Sequence, residues 1–256
     1  MVEPQIDLLL LALLFGTGLV AGAVDAIAGG GGLIALPVLL STGISPVEAL
    51  ATNKLQGSFG TFSSSLFFIR KKMIDLKQAG FMVACTFIGS MLGTLLVQMT
   101  DLSFLTAFIP ILLILVALYF LLTPSIHEEQ ARERIGTSLF GLTVGFGAGF
   151  YDGFFGPGTG SFFLIGFVTL LGYGLIKATA HTKLLNFTSN IASLLLFIIA
   201  GQVVWTLGLA MALGQFIGGR LGAHMAFLKG AKIIRPLIVI VTLSISAKLL
   251  FEFWSS

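Results

Sequence analysis

Charge is scarce in this chain. Only 10% of its 256 residues are charged, while 56% are hydrophobic. A soluble domain carries about 25% charged residues, so a water-bathed globular fold is excluded. Cysteine is nearly absent as well. The one thiol, Cys85, cannot close an internal disulfide and is too little for a thiolate metal site. No Walker-type loop is present, so direct use of ATP by this chain is not expected. No basic residue precedes the first apolar run, as a cleaved signal peptide would require, so that run is expected to stay in the protein. The net charge of +3 is modest and no nucleic-acid signature occurs. No cofactor, metal or nucleic-acid partner is expected.

What the chain has instead is long apolar runs, at residues 6–28, 79–99, 102–122, 206–228 and 237–254. Runs of about 18 or more apolar residues are read as membrane helices. Lipid offers the backbone no hydrogen-bond partner, so a spanning segment is a helix or part of a closed barrel. The runs lack the alternation of barrel strands. The fold class is therefore an all-α polytopic membrane protein.

The chain also contains itself twice. Residues 22–32 read Gly-Ala-Val-Asp-Ala-Ile-Ala-Gly-Gly-Gly-Gly, and residues 149–160 read Gly-Phe-Tyr-Asp-Gly-Phe-Phe-Gly-Pro-Gly-Thr-Gly. Each motif is followed by a lysine-bearing segment, with Lys54 and Lys183. Residues 88–93 then match residues 217–222. The spacing is 127 residues from Asp25 to Asp152 and 129 from Lys54 to Lys183. The predicted organisation is a membrane repeat over 1–124, a cytoplasmic linker over 125–136 and a second membrane repeat over 137–256. Each repeat holds about five segments. The first has A (6–28), B (33–42), C (46–69), D (78–99) and E (102–122). The second has A′ (137–155), B′ (161–173), C′ (176–200), D′ (206–228) and E′ (237–254).

Basic residues mark the cytoplasmic side. They lie between C and D (Arg70, Lys71, Lys72, Lys77), in the linker (Arg132, Arg134) and between D′ and E′ (Lys229, Lys232, Arg235). The equivalent loops, after D and after C′, carry none. A bias that swaps loops between the halves predicts an inverted repeat with both termini outside. B and B′ are too short to cross alone, since ten residues span about 15 Å. Crossing parity allows them to be re-entrant or to cross with an unwound centre, giving eight to ten membrane segments.

Several residues are out of place in lipid. Asn53 and Lys54 enter C from its outer end, and Lys183 and Asn186 enter C′ from its inner end, each roughly 11–15 Å deep in a core about 30 Å thick. A lysine there costs about 2.5–3.5 kcal/mol on an insertion scale, so it is functional or paired. Asp25 and Asp152 are the natural partners. Gly30, Gly31 and Gly32 precede B, and Gly158, Thr159 and Gly160 precede B′. Glycine lets the backbone turn sharply beside a ligand, and the free N–H groups of the following helix favour an anion. Asn53, Lys54, Lys183 and Asn186 with these N–H groups would make a pocket for a small oxyanion. Asp25, Asp152 or His181 would carry a coupling proton. The same residues have plainer roles too: close glycine packing, structural ion pairs and interhelical hydrogen bonds.

The glycine run with Pro37, the Thr52-Asn53-Lys54 triplet, Gly156-Pro157-Gly158 and the Lys183, Asn186, Ser189, Asn190 series resemble the bacterial sulfite exporter/sulfonate permease family, the TauE/SafE type. The resemblance spans nearly the whole chain and is greatest to the uncharacterised inner-membrane members. It implies a non-enzymatic carrier of small sulfur-containing anions, set in a bacterial inner membrane. The leading expectation is a secondary carrier for a small anion, a sulfur oxyanion or organosulfonate, working by alternating access of inverted halves. An anion channel, or a carrier of another small organic acid, would use the same site. Tyr151-Asp152 with Asp25 is a faint echo of an intramembrane aspartyl protease, but lysines beside the aspartates would hold them ionised. Homo-oligomerisation stays open.

Overall fold

The structure, a computed structural model, describes residues 7–101, 105, 111 and 132–229. Segments E and E′, apart from residues 105 and 111, and most of the linker lie outside these. Among the described residues there is no strand. The first half forms α1 (Leu8–Ala28), α2 (Gly31–Ser41), α3 (Pro46–Arg70) and α4 (Leu76–Gln98). In the second half, α5 (Thr137–Phe140) runs through a π-helical turn (Gly141–Gly145) into α6 (Phe146–Phe154). There follow α7 (Thr159–Thr169), α8 (Leu175–Ile199) and α9 (Trp205–Lys229). The all-α polytopic reading holds. Segment B′ is shorter than the predicted 161–173. Gly172 turns the chain at φ 67°, and the Tyr173 N–H donates back to the Phe167 carbonyl at 3.0 Å, so no further helical turn forms.

α1, α4 and α8 are long and apolar enough to cross a membrane. α3 matches them in length but is turned inside out. Its Thr52, Asn53, Lys54, Gln56, Ser58 and Ser63–Ser65 are buried, while Phe59 and Phe62 face outward. That arrangement suits a helix whose outer solvent is lipid, because polar groups then find partners only inside the protein. Its start is well defined. The Ser45 Oγ accepts from the Glu48 N–H at 3.3 Å, and the Glu48 carboxylate accepts from the Ser45 N–H at 2.8 Å. This is a reciprocal capping box with Pro46 in the first turn.

Two hydrophobic cores lie at opposite ends of the molecule. One gathers Leu10 and Leu14 of α1, Leu33, Leu36 and Leu39 of α2, Leu50 of α3, Val97 of α4, Phe197 of α8 and Met211 of α9. The other gathers Ile27 of α1, Phe68 of α3, Met82 of α4, Phe167 of α7, Leu175 of α8 and Ala223 of α9. Hence α3 runs from the first core to the second and α8 runs the other way, as does α4 against α9. Equivalent helices are antiparallel, which is an inverted repeat. The same cores resolve the short segments. α2 lies with the beginning of α1, and most of α7 lies with the α5 end of its own half. Each short helix returns toward the side its predecessor came from and does not cross.

The halves are interlocked rather than side by side. α1 packs on α9, and α6 packs on α4. Glycines set these crossings. A Cβ at Gly218 of α9 would stand 2.1 Å from the Leu19 carbonyl oxygen, and one at Gly222 2.4 Å from that of Ala23. In the other crossing, a Cβ at Gly89 of α4 would stand 2.3 Å from the Phe146 oxygen, and one at Gly93 2.0 Å from that of Phe150. These are repeat-equivalent contacts, made twice.

Candidate functional site

The α1–α2 and α6–α7 breaks meet at the centre. Gly29 ends α1 at φ 82°, and its N–H donates to the Asp25 carbonyl at 2.8 Å. Gly156 and Gly158 take φ 101° and 86° before α7. These are left-handed conformations that any side chain would strain. The two breaks touch: a Cβ on Gly29 would sit 2.5 Å from the Gly160 carbonyl carbon. The Ser161 Oγ donates to the Ala28 carbonyl at 2.7 Å, and the Tyr151 hydroxyl donates to the Pro157 carbonyl at 2.8 Å. Carbonyls freed by breaking the helices are thus partly satisfied by side chains, as a lipid-embedded break requires.

Two lysines complete the crossing of the halves. Lys54 is the ninth residue counted from Pro46 in α3, and Lys183 the ninth counted from Leu175 in α8. Each reaches an aspartate of the opposite repeat. The Lys54 Nζ lies 2.9 Å from the Asp152 Oδ2, and the Lys183 Nζ lies 3.2 Å from the Asp25 Oδ2. Both lysine side chains are 1% exposed. Lys183 also donates to the Asp25 main-chain carbonyl. The Lys54 ammonium would be 2.8 Å from a Cβ at Gly156. Both ammoniums therefore stand at the C-terminal ends of the broken helices α1 and α6, where the helix dipole favours a cation.

A polar cavity opens beside these pairs, with about 30 Å³ open to the centres of water molecules. Asp25, Gly31, Gly32, Asn53, Asp152, Gly158, Thr159, Gly160 and Asn186 line it. Lys54, Lys183 and Gly30 do not; the lysines stand behind the aspartates. His181 is elsewhere, buried against the Tyr173 and Phe167 rings, with its Nδ1 on the Lys177 carbonyl at 2.9 Å. The wall also includes Gln56, Thr61, Asn190 and Gln215. Gln56, Thr61 and Gln215 were not anticipated from the sequence. Gln56 had a usable signal, since it lies one turn after Asn53, and its Nε2 donates to the Asn53 Oδ1 at 2.7 Å. The Gln56 Oε1 and the Asn186 Oδ1 are buried without a partner among the described residues. Among the described residues no group of histidine, cysteine and carboxylate side chains could hold a metal ion.

Broken helices from two inverted halves, closing on a buried polar cavity, are the build of a membrane transporter. The chain belongs to the sulfite exporter TauE/SafE family, whose model matches residues 14–249. It is 51% identical to the probable membrane transporter protein YfcA of Escherichia coli (strain K12), over 98% of this chain and 92% of that protein. It is 49% identical to a probable membrane transporter protein of Haemophilus influenzae, over 95% of each chain. A more distant relative is the probable membrane transporter protein YunE of Bacillus subtilis, 28% identical over 92% of this chain and 95% of that protein. No solved structure matches.

Proposed function

We propose that the chain is a secondary carrier for a small anion, a sulfur-containing oxyanion or organosulfonate, worked by alternating access of its two inverted halves. The observation that carries this reading is the central cavity, where helix breaks of both repeats meet amide side chains and two buried Lys–Asp pairs. The N–H groups at Gly31, Gly32, Thr159 and Gly160, with Asn53 and Asn186, supply donors for an oxyanion. Lys54 and Lys183 supply positive charge from behind the wall, and their aspartates balance it. An anion entering this neutral site adds a charge to a low-dielectric interior, so uptake with a proton keeps the balance. Asp25 and Asp152 line the cavity and are placed to take that proton; His181 is not.

A ligand that binds only the folded protein stabilises it by mass action. The purified protein in detergent is expected to gain thermal stability from a subset of sulfite, sulfate, thiosulfate, taurine, sulfoacetate, lactate and chloride. A flat response across the panel would count against the anion site. Saturable counterflow in proteoliposomes would separate a carrier from a channel.

The orientation follows from charge. Apart from the central Lys54 and Lys183, the described lysines and arginines gather at the end that holds the Phe68 and Leu175 core. They are Arg70, Lys71, Lys72, Lys77, Arg132, Arg134, Lys177, Arg220 and Lys229. Aromatic rings anchor several of them: the Lys177 Nζ lies 3.8 Å from the Tyr173 ring centre and the Lys71 Nζ 5.3 Å from that of Phe227. We place this end in the cytoplasm of a bacterial cell and the start of α1 outside, by the positive-inside rule. In a Cys85→Ser background, Asp7→Cys should react with an impermeant thiol reagent on intact spheroplasts, and Lys72→Cys only after lysis. The opposite pattern would invert the topology.

A further inference from the structure

A second cavity lies away from the centre, on the surface where α9 packs against α3. About 300 Å³ of it is open to the centres of water molecules. Phe67 of α3 and Phe216, Ile217, Arg220, Leu221 and His224 of α9 line it. The α9 residues recur three and four apart, so they share one helix face. That face is exposed along its length. On a helix of a membrane protein, such a face meets lipid.

Polar groups collect at one end of this apolar groove. The Arg220 Cζ lies 5.9 Å from the centre of the Phe67 ring, and the Lys71 Nζ lies 6.0 Å from it. The His224 ring meets the same phenyl edge-on at 5.8 Å. Two cations and an imidazole thus surround one aromatic ring. Among the described residues no carboxylate forms an ion pair with any of them. Arg220 stands about two and a half helical turns before Lys229, the last residue of α9, so its guanidinium reaches back toward the headgroup level.

The repeat supplies an internal comparison. Phe216, Ile217 and Leu221 have Phe87, Ile88 and Leu92 as their equivalents 129 residues earlier. The apolar floor is therefore kept in both halves. The polar rim is not: Arg220 and His224 become Met91 and Leu95, and the positions matching Phe67 and Lys71 are Leu196 and Ala200. The opposite end of the molecule carries the same groove pattern without a charge.

We propose that the groove between α3 and α9 seats an acidic phospholipid. An acyl chain lies along Phe216, Ile217 and Leu221, and the phosphodiester sits among Arg220, Lys71 and His224. The guanidinium fork takes two phosphate oxygens, and the ammonium adds charge. Basic pockets between membrane helices at the cytoplasmic side suit anionic headgroups in this way. A zwitterionic headgroup brings its own ammonium, which the two cations repel, so the seat favours a net negative lipid. This assignment does not depend on what the central cavity carries.

The test uses the full chain, purified and delipidated in detergent. Thermal stabilisation is titrated with dioleoylphosphatidylglycerol and with dioleoylphosphatidylcholine, and lipid retained on the protein is counted by native mass spectrometry. Glycerophosphoglycerol and inorganic phosphate serve as soluble phosphate arms. The expected result is tighter binding of the acidic lipid, with little response to either soluble arm. In the Arg220→Gln, His224→Gln double variant the apparent Kd for phosphatidylglycerol should rise about tenfold, toward the phosphatidylcholine value. Lys177→Gln loses one positive charge at the same end, but over the Tyr173 ring, and should leave that Kd unchanged. Equal binding of the two lipids in wild type would overturn the proposal. So would an equal loss in Lys177→Gln, which would show only a general attraction to charge. Soluble phosphates as effective as the lipid would overturn the lipid assignment. If the double variant failed to fold, Lys71→Gln at the end of α3 would carry the comparison, with a loss of about fivefold expected and an unchanged Kd counting against the seat.

Discussion

Lys54→Met is expected to cost about 3–5 kcal/mol of stability, because it leaves the Asp152 carboxylate buried with no cation. Asp152 is 4% exposed, so solvent replaces the ammonium only poorly. Asp152→Asn should be damaging on its own for the mirror-image reason. The double variant, Lys54→Met with Asp152→Asn, removes both charges together and should be far less destabilised than the sum, with a coupling energy of about 0.5–3 kcal/mol or more. Denaturation in detergent measures all three. Additive losses would show that the two groups do not act on one another. Transport divides differently. The double variant regains its fold and loses one of the two buried positive charges behind the cavity wall, so anion binding should not return with stability. The second pair, Lys183 with Asp25, should show weaker coupling. Its carboxylate is 15% exposed and its ion-pair distance is 3.2 Å. Lys183 also keeps the Asp25 main-chain carbonyl as a partner after the side chain is neutralised.

The other large effect belongs to the helix crossings. Gly218→Val puts a branched side chain where even a Cβ would be 2.1 Å from the Leu19 carbonyl oxygen. The obstacle is backbone, which cannot rotate away as a side chain can. α1 must leave α9, and the break at Gly29 moves with it, so both the fold and the cavity are lost. The expected outcome is loss of the monodisperse species on size exclusion. Gly89→Val, the repeat equivalent, should fail in the same way against the Phe146 oxygen. Glycine identity alone does not explain this. Gly147 of α6 is a helical glycine with nothing within 4 Å of its added Cβ. Gly147→Ala should be neutral or should stabilise by about 0.5–1 kcal/mol, through reduced backbone entropy of the unfolded chain. If Gly218→Val behaved like Gly147→Ala, close backbone approach would not be what holds α1 on α9.

Much of the molecule was legible in advance because a membrane simplifies the code. Hydropathy and length located α3 and α8 to within a residue at each end. Asn53, Lys54, Lys183 and Asn186 stood out because nothing in lipid solvates them. Other features were hidden for physical reasons. Gln215 sits in an apolar run among small residues, and no one-dimensional pattern says which side of α9 faces the centre. Lys54 and Lys183 could be recognised as needing partners, but the chain order suggests pairing within a half, where Asp25 and Lys54 are 29 residues apart. The pairs instead join different halves, because α1 packs on α9 and α6 on α4, carrying each aspartate to the other repeat's lysine.

Composition, the duplicated motif and the swapped basic loops were enough to establish a helical membrane protein of two opposed halves with polar groups at its centre. Those properties are set by the cost of exposing charge and backbone to lipid, which each segment meets on its own. The return of α2 and α7 and the meeting of Gly29 with Gly160 were decided only in three dimensions. So were the crossed ion pairs and the lysines' place behind the cavity wall. Each depends on which helix faces which at van der Waals distance, a relation between segments far apart in the chain.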